Sequence, residues 1–485
     1  MQVNRLNNLQ GIFMEKSNNK KKLDKVLNGK DVLVTAFGAM IGWGWVVSTG
    51  DWLQKAGSIG TILGFIIGGI MIYFVGLTYS ELTTMIPKCG GEHVFTYKAF
   101  GPIGSFICTW AIILSYIGVV CFEACSLPTI VQYIWPGFLK GYMYTVAGFD
   151  IYATWVILAV FVAILITYIN IRGIKTAAIF QTVLTFTIAG VGIILVIASA
   201  INGSLDNLNG QMLLGDGMEN SLKNILSIAV VAPFFLFGFD VIPQVAEEIN
   251  VPLKKLGKLL ILSIVLAVLF YALVVFSVSY AISPAEVDAS RNSTGLVTAD
   301  AMAKVFNSRI MAKVAIIGGM CGIITSWNSF LIGGSRAMFA LAESYMIPHC
   351  FSKLHPKYNT PIISLVLIGL LSIISPFFGR SMLIWISNSA SFACCIAYCM
   401  VSFSFLVLRK KMANEPRPYK VKHYKFVGVM AILMSGLMVM VYIFPWFDCN
   451  LVMQEWIIIG GWAVLGIIFK TICKIVYKDK YGMMN

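Results

Sequence analysis

The sequence GAMIGWGWVVSTG (residues 38–50) places four glycines inside an apolar segment, residues 32–53, that is long enough to cross a membrane. A second apolar segment, residues 221–245, is interrupted in a similar way by the proline and the glycine of APFFLFGFD (residues 232–240). Backbone inside hydrocarbon must satisfy its own hydrogen bonds, so an uncoiled stretch persists there only where protein, water or a ligand completes the freed groups. The two interruptions therefore predict a binding site at mid-depth in the membrane.

The composition is that of a membrane protein. Of the 485 residues, 58% are hydrophobic and 12% are charged, and the mean hydropathy is +0.82. A spanning helix needs roughly 20 apolar residues, and about twelve such segments are present, which predicts an all-α integral membrane protein without a separate soluble domain. The predicted spans are residues 32–54, 60–83, 103–133, 152–171, 176–200, 221–247, 257–282, 312–343, 362–378, 382–408, 426–446 and 453–473.

The distribution of lysine and arginine predicts the orientation. With a cytoplasmic amino terminus, 28 of the 36 basic residues fall on the cytoplasmic side, which is the bias that sets topology in short loops. We therefore expect cytoplasmic tails at residues 1–31 and 474–485 in a multi-pass protein of the cell membrane. The basic residues lie in separate loops instead of one patch, so the lipid bilayer is an expected partner and nucleic acid is not. The sequence leaves open whether two copies form a homodimer.

The interrupted segments are the first and the sixth, which indicates an internal organisation. Two repeats of five helices with opposite orientation, residues 32–201 and 221–408, would bring both interruptions together near the middle of the bilayer. Residues 426–473 would then add two helices outside the repeats. Secondary transporters are built in this way, with half-helix ends and free backbone groups around the solute and its coupling ion.

Six strings along the chain also carry a resemblance to a known family. They are GAMIGWGWVVSTG (38–50), GLTYSELTTMIPKCGGEHVFTYKAFGP (76–102), NIRGIKTAAIFQ (170–181), FFLFGFDVIPQVAEEINVP (234–252), SRAMFALAESYMIPHCFSKLHPKYNTP (335–361) and LRKKMANEPRPYKV (408–421). In this order they resemble the amino acid-polyamine-organocation (APC) superfamily of permeases. The resemblance implies a five-plus-five inverted repeat with broken helices 1 and 6, two extra helices, and transport of amino acids or related amines by alternating access.

The first interruption matches a binding motif of that superfamily. Gly42, Trp43 and Gly44, preceded by Ile41, match the GxG break whose N–H groups are expected to hold a substrate carboxylate. Glycine also lets a ligand approach the backbone and tolerates unusual torsions. The alternative is that Gly38 and Gly42, spaced as GxxxG, allow close packing of another helix. The superfamily more often has a small residue at position 43, so the tryptophan would narrow the cavity and favour a small solute.

The sixth segment contributes aromatic and glycine candidates. Phe234 matches an aromatic that closes over the bound solute in related permeases, Gly238 matches their unwound segment, and Phe237 lies between the two. The resemblance therefore implies that these three residues contact the substrate. In a chain with 32 phenylalanines, Phe234 could equally be an ordinary core or lipid-facing residue.

Two carboxylates at membrane depth are candidates for coupling or substrate binding. Asp240 matches a position where the superfamily often has glutamate, and Glu123 lies in the apolar string SYIGVVCFEACSLPTI. A carboxylate there is costly unless it is paired, protonated or hydrated, so its default interpretation is functional. The alternatives are that Asp240 caps a half-helix and that Glu123 is held protonated against a neighbouring helix. Further candidates for the cavity or the gate are Tyr116, Trp327, Ser329 and Phe330.

The expected function is secondary active transport of amino acids without a cofactor, a metal site or catalytic residues. A neutral or small amino acid is the first choice of solute, and a cationic amino acid, a polyamine or a small amine is the alternative. Proton symport, exchange and sodium symport stay open; sodium would need hydroxyl groups such as those of Thr325, Ser326 and Ser329. All four histidines fall in predicted loops, which argues against an enzyme, whereas a nutrient sensor on the permease fold remains an alternative of another class.

Overall fold

The computed structural model describes residues 23–146, 148–445 and 450–484, and for residues 380–383 it describes the backbone alone. Within these ranges the chain is almost entirely helical. The α-helices are α1 (Gly29–Met40), α2 (Gly44–Val47), α3 (Thr49–Met85), α4 (Glu92–Ile134), α5 (Ala153–Ile171), α6 (Ile174–Asn202), α7 (Gly217–Val231), α8 (Val241–Gln244), α9 (Leu253–Ala281), α10 (Pro284–Ser293), α11 (Val297–Phe306), α12 (Arg309–Glu343), α13 (Ile362–Ile374), α14 (Gly379–Lys411), α15 (Tyr424–Ile443) and α16 (Met453–Tyr477).

Short 3-10 turns and one hairpin complete the secondary structure of the described ranges. The 3-10 turns are Leu205–Leu208, Ala232–Leu236, Ala246–Glu248, His349–Ser352, Ser375–Phe378 and Lys478–Lys480. Strands β1 (Tyr142–Val146) and β2 (Phe149–Tyr152) form an antiparallel pair between α4 and α5.

The helices confirm the prediction of an all-α membrane protein. Within the described ranges, ten helices are long and apolar enough to cross a membrane, and Ile362–Phe378 is a shorter apolar helix. The first predicted span is divided among α1, α2 and the start of α3, which continues into the second span. Gly57 separates these two spans inside α3 with φ +73°, and the N–H of Ser58 donates to the Gln211 carbonyl at 2.8 Å. A positive φ is accessible to glycine at little cost, which explains the sharp joint.

Both described ends of the chain lie on one face of the helix bundle. Leu23 packs against Cys89 and Phe339, and the Gly482 N–H donates to the Ser344 carbonyl at 2.8 Å. We call this side the terminal face and the other side the opposite face. The cytoplasmic location of the terminal face stays a prediction from the basic residues.

Both predicted helix breaks are present. In the first, α1 ends at Met40 and α2 begins at Gly44. In the second, α7 ends at Val231, a 3-10 turn follows, and the chain resumes as α8 at Val241 after an uncoiled stretch. Pro233 has no N–H to continue the helix.

The two breaks touch each other. Gly238 has φ +131°, and a Cβ built on it would lie 2.6 Å from the Ala39 Cβ and 2.9 Å from the Ala39 carbonyl carbon. The breaks therefore meet backbone to backbone, as the sequence analysis expected. The internal repeat and the domain boundaries given with it stay predictions.

Candidate functional site

A cavity of about 170 Å³ lies between the two breaks. We call it the central cavity. Its volume is several times that of a single enclosed water. Of the candidates from the sequence, it brings together Gly42, Trp43, Gly44, Glu123, Phe234, Phe237 and Phe330. It does not include Ile41, Tyr116, Gly238, Asp240, Trp327 or Ser329 among its lining residues.

The glycines of the first break are explained by the room that a missing side chain leaves and not by unusual backbone torsion angles. Neither Gly42 nor Gly44 has a positive φ. A Cβ on Gly42 would point to the Glu123 Oε1 at 3.4 Å, whereas a Cβ on Gly44 would collide with the Phe235 ring. Gly42 therefore leaves the backbone open toward the cavity, and Gly44 makes room for a ring. Trp43 packs its indole against Gly319 of α12.

Several backbone groups of the first break have side-chain partners. The Tyr271 hydroxyl donates to the Met40 carbonyl at 3.1 Å, and the Thr298 hydroxyl donates to the Trp45 carbonyl at 2.8 Å. The N–H groups of the first turn of α2, at Gly44 and Trp45, have no acceptor within their own helix. Donors of this kind can bind a carboxylate.

Glu123 is the carboxylate of the central cavity. The residue is 4% exposed, and among the described residues its Oε2 has no hydrogen-bond partner. Ser326 lines the same cavity from α12. A buried carboxylate oxygen without a partner is costly, so the site offers an unsatisfied acceptor to whatever enters. An amino group would satisfy it.

Aromatic rings form the apolar wall of the cavity. Phe234 is half-buried and contacts the Phe235 ring edge-on at a centroid distance of 5.1 Å. Phe330 contacts the Tyr116 ring at 5.5 Å, so Tyr116 supports the wall from behind. These rings offer an apolar surface opposite the polar groups of the first break and Glu123.

Asp240 lies below the cavity and holds the second break in place. Its carboxylate, which is fully buried, accepts hydrogen bonds from the Tyr116 hydroxyl at 2.6 Å, the Tyr398 hydroxyl at 2.7 Å and the Gly238 N–H at 2.9 Å. The Gly238 N–H lies before α8 in the chain, so this hydrogen bond does not cap α8 with the Asp240 side chain. The hydrogen bonds join the second break to α4 and α14.

A layer of buried polar pairs separates the cavity from the terminal face. Arg336 of α12 donates from Nε to Glu248 Oε1 at 2.9 Å, and the exposure of these residues is 0% and 1%. Glu92 accepts a hydrogen bond from Gln244, just after the second break. Glu81 accepts from the Arg417 Nε at 3.0 Å. Glu81 and Glu248 are both buried, and the arginines that pair with them are distant in the sequence.

Amide side chains join α12 to α5 and α6 beside the first break. The Asn328 Nδ2 donates to Gln181 Oε1 at 2.8 Å, and the Asn170 Nδ2 donates to Asn328 Oδ1 at 2.8 Å. Ser329 accepts from the Gln181 Nε2 at 3.0 Å and donates to the Thr35 carbonyl at 3.3 Å. Ser329 therefore fastens α1 to α12 and does not face the cavity.

Two further candidates are buried away from the central cavity, and one histidine lies in a helix. Ile41 is fully buried, and its N–H donates to the Phe37 carbonyl at 3.1 Å. Trp327 is fully buried in the core of the bundle. His93 is not in a loop as expected: it lies in the first turn of α4, where its ring bonds Ser344 at 2.8 Å and Ser105 at 2.7 Å.

The sequence analysis missed several residues of the central cavity. They are Ala39, Met40, Val47, Ser48, Val119, Phe122, Phe235, Tyr271 and Ser387. Val119 lies four residues before Glu123 on the same helix face, so a helical projection around Glu123 would have found it. Tyr271 and Ser387 give no such signal, because their helices are apolar on nearly all sides.

Comparison with known proteins agrees with this architecture. A family model described as amino acid permease matches residues 27–467. The chain is similar to a branched-chain amino acid permease of Bacillus subtilis, with 26% identity over 85% of this chain and 87% of the relative. It is also similar to a methylthioribose transporter of that organism, with 24% identity over 96% of both chains, and to its serine/threonine exchanger, with 25% identity over 82% and 87%.

These comparisons confirm the predicted resemblance to APC permeases and the prediction that the protein is a transporter and not an enzyme. The family match covers both helix breaks and the whole central cavity. The chain therefore belongs to the amino acid permease family.

Proposed function

We propose that this protein moves a small neutral amino acid across the cell membrane by alternating access, with the solute bound in the central cavity. The observation that carries the proposal is the Glu123 carboxylate in the central cavity. Its Oε2 has no hydrogen-bond partner among the described residues, and its Oε1 lies toward Gly42 of the first break. An α-amino acid has the two charges that such a site can bind.

Each part of the solute has a counterpart in the site. The ammonium group would bind Glu123, and the carboxylate would bind the backbone N–H groups of the first break at Gly42 and Gly44, which line the cavity. The side chain would lie against Phe234 and Phe330, which line the same cavity. The volume of about 170 Å³ and the position of Trp43 on the lining favour a small side chain.

We propose coupling to protons or exchange of one solute for another as the driving mode. Glu123 is a buried acid that lines the cavity, and Asp240 is a buried acid of the second break. Of the three hydroxyls named for sodium, Ser326 lines the central cavity, whereas Thr325 donates to the Gly322 carbonyl at 2.9 Å and Ser329 is bonded to Thr35 and Gln181. The buried acids are what supports coupling to protons.

Uptake into proteoliposomes tests the proposal. A panel of labelled amino acids and amines is offered with a pH gradient, with a sodium gradient and with internal amino acid, and we expect uptake of small neutral amino acids without sodium. Glu123→Gln should raise KM by about tenfold or more, because a hydrogen bond to a charged group contributes roughly 1.5–3 kcal/mol. The matched control is Glu219→Gln, which changes an exposed acid on α7.

The outcomes separate the alternatives. Normal uptake by Glu123→Gln with an unchanged pH profile would refute the role of that carboxylate. Preference for a cationic amino acid or a simple amine would favour the alternative solute class, for which Glu123 is also suited. Specific binding without uptake of any solute would support a sensor on the permease fold.

A further inference from the structure

A second cavity of about 470 Å³ lies on the opposite face, between α7, α14, α15 and α16. We call it the outer cavity. It is larger than the central cavity, and the two share Phe234 and Phe235 as a common wall. On α14, Ser387 lines the central cavity and the next residue, Asn388, lines the outer one. A solute in the outer cavity would therefore be one aromatic ring away from the central cavity.

Glu455 gives the outer cavity a negative charge. The residue lies in the first turn of α16 and is 2% exposed. Its carboxylate accepts hydrogen bonds from the Asn388 Nδ2 at 2.6 Å and from the Val452 N–H at 2.8 Å. A carboxylate has about four acceptor positions, so two are left for a ligand. Among the described residues that line the cavity there is no lysine or arginine to neutralise it.

Aromatic rings surround this carboxylate. Phe234, Trp385 and Tyr442 line the cavity together with Glu455. The face of an aromatic ring attracts a cation, and the rings also offer apolar surface to a hydrocarbon chain. A carboxylate in a recess that is lined partly by aromatic rings is suited to bind a compound with an ammonium group and an apolar side chain.

We propose that the outer cavity is a second binding site, for a primary ammonium compound with an apolar side chain, and that Glu455 binds its ammonium group. That the ligand of this site is the same compound as the transported solute rests on the function proposed above. The solute would bind here first and pass Phe234 to reach the central cavity. The first helix break, which was assigned to the substrate carboxylate, does not line the outer cavity. An amine without a carboxylate therefore binds there as well.

Isopentylamine is the probe for this site, because it has the ammonium group and a branched apolar chain but no carboxylate. Its binding to the purified full-length protein is measured by equilibrium dialysis. Glu455→Gln should weaken binding about tenfold or more, since it removes a charge-assisted hydrogen bond. Val452→Trp, which places a large ring at an exposed position of the lining, should weaken it to a similar extent. Glu219→Gln, which changes an exposed acid on α7 outside both cavities, is the control and should bind isopentylamine like the wild type.

Proteoliposome uptake gives the second readout. Glu455→Gln should raise the KM of the transported amino acid and leave kcat unchanged, because the central cavity is intact. If wild-type protein transports but Glu455→Gln and Val452→Trp bind isopentylamine like the wild type, the outer site is refuted and the proposed transport stands. If isopentylamine binds in a Glu455-dependent manner but no amino acid is taken up, the outer site stands and the proposed transport is refuted.

Discussion

The buried ion pair between Arg336 and Glu248 should contribute strongly to the stability of the terminal face. Arg336→Met leaves the Glu248 carboxylate without its cation at a position that is 1% exposed. Breaking a buried pair in this way costs about 3–5 kcal/mol of the free energy of unfolding. The matched control is Lys304→Met, which breaks a pair whose side chains are both 44% exposed and should cost about 0–1 kcal/mol.

The assay is unfolding of the purified protein by SDS in mixed micelles, followed by tryptophan fluorescence. The double variant Arg336→Met/Glu248→Leu should recover most of the loss, because replacing both charges of a buried pair is often neutral. The reasoning is wrong if Arg336→Met and Lys304→Met lose the same free energy, or if the double variant loses the sum of its single changes.

The same change should open the terminal face. Cys89 is 6% exposed, and its thiol lies 3.9 Å from the Arg336 carbonyl. Arg336→Met should therefore speed alkylation of Cys89, located by peptide mass spectrometry, whereas Lys304→Met should not. An unchanged alkylation rate would show that the pair does not keep this face closed.

Two further changes test the helix breaks. Gly322→Ala should lower uptake and destabilise the protein by about 1–3 kcal/mol, because the added methyl group meets backbone atoms of Gly42 that cannot rotate away. The control is Gly190→Ala, whose methyl group meets open space, and it should retain uptake. Equal uptake by the two variants would contradict this prediction. Tyr398→Phe should cost about 1–3 kcal/mol in the SDS titration, since it removes a hydrogen bond from the buried Asp240 carboxylate; an unchanged midpoint would contradict this.

The fold could be predicted in detail because its determinants are local. A run of about 20 apolar residues is visible in the sequence, and glycine or proline inside it marks a break. The predicted span 152–171 differs by one residue from α5, and the predicted span 362–378 has the bounds of the apolar helix Ile362–Phe378. The hairpin before α5 was missed, since it lies between membrane segments and contributes no hydropathy signal.

The site could be predicted only in part. Glu123 was found because a charge in an apolar string is conspicuous whatever its partners are. The partners of Asp240 could not be found, because Tyr116 and Tyr398 are 124 and 158 residues away. The partner of Glu81 could not be found for the same reason, because Arg417 is 336 residues away.

Because Gly238 contacts Ala39, we expect the two interrupted stretches to change together during evolution. A methyl group added to Gly238 would collide with the Cβ and the backbone of Ala39, so a change in one stretch must be matched by the other. Recombination with a relative should respect this: a chimera that imports residues 38–50 is expected to fold only when residues 234–240 come from the same parent.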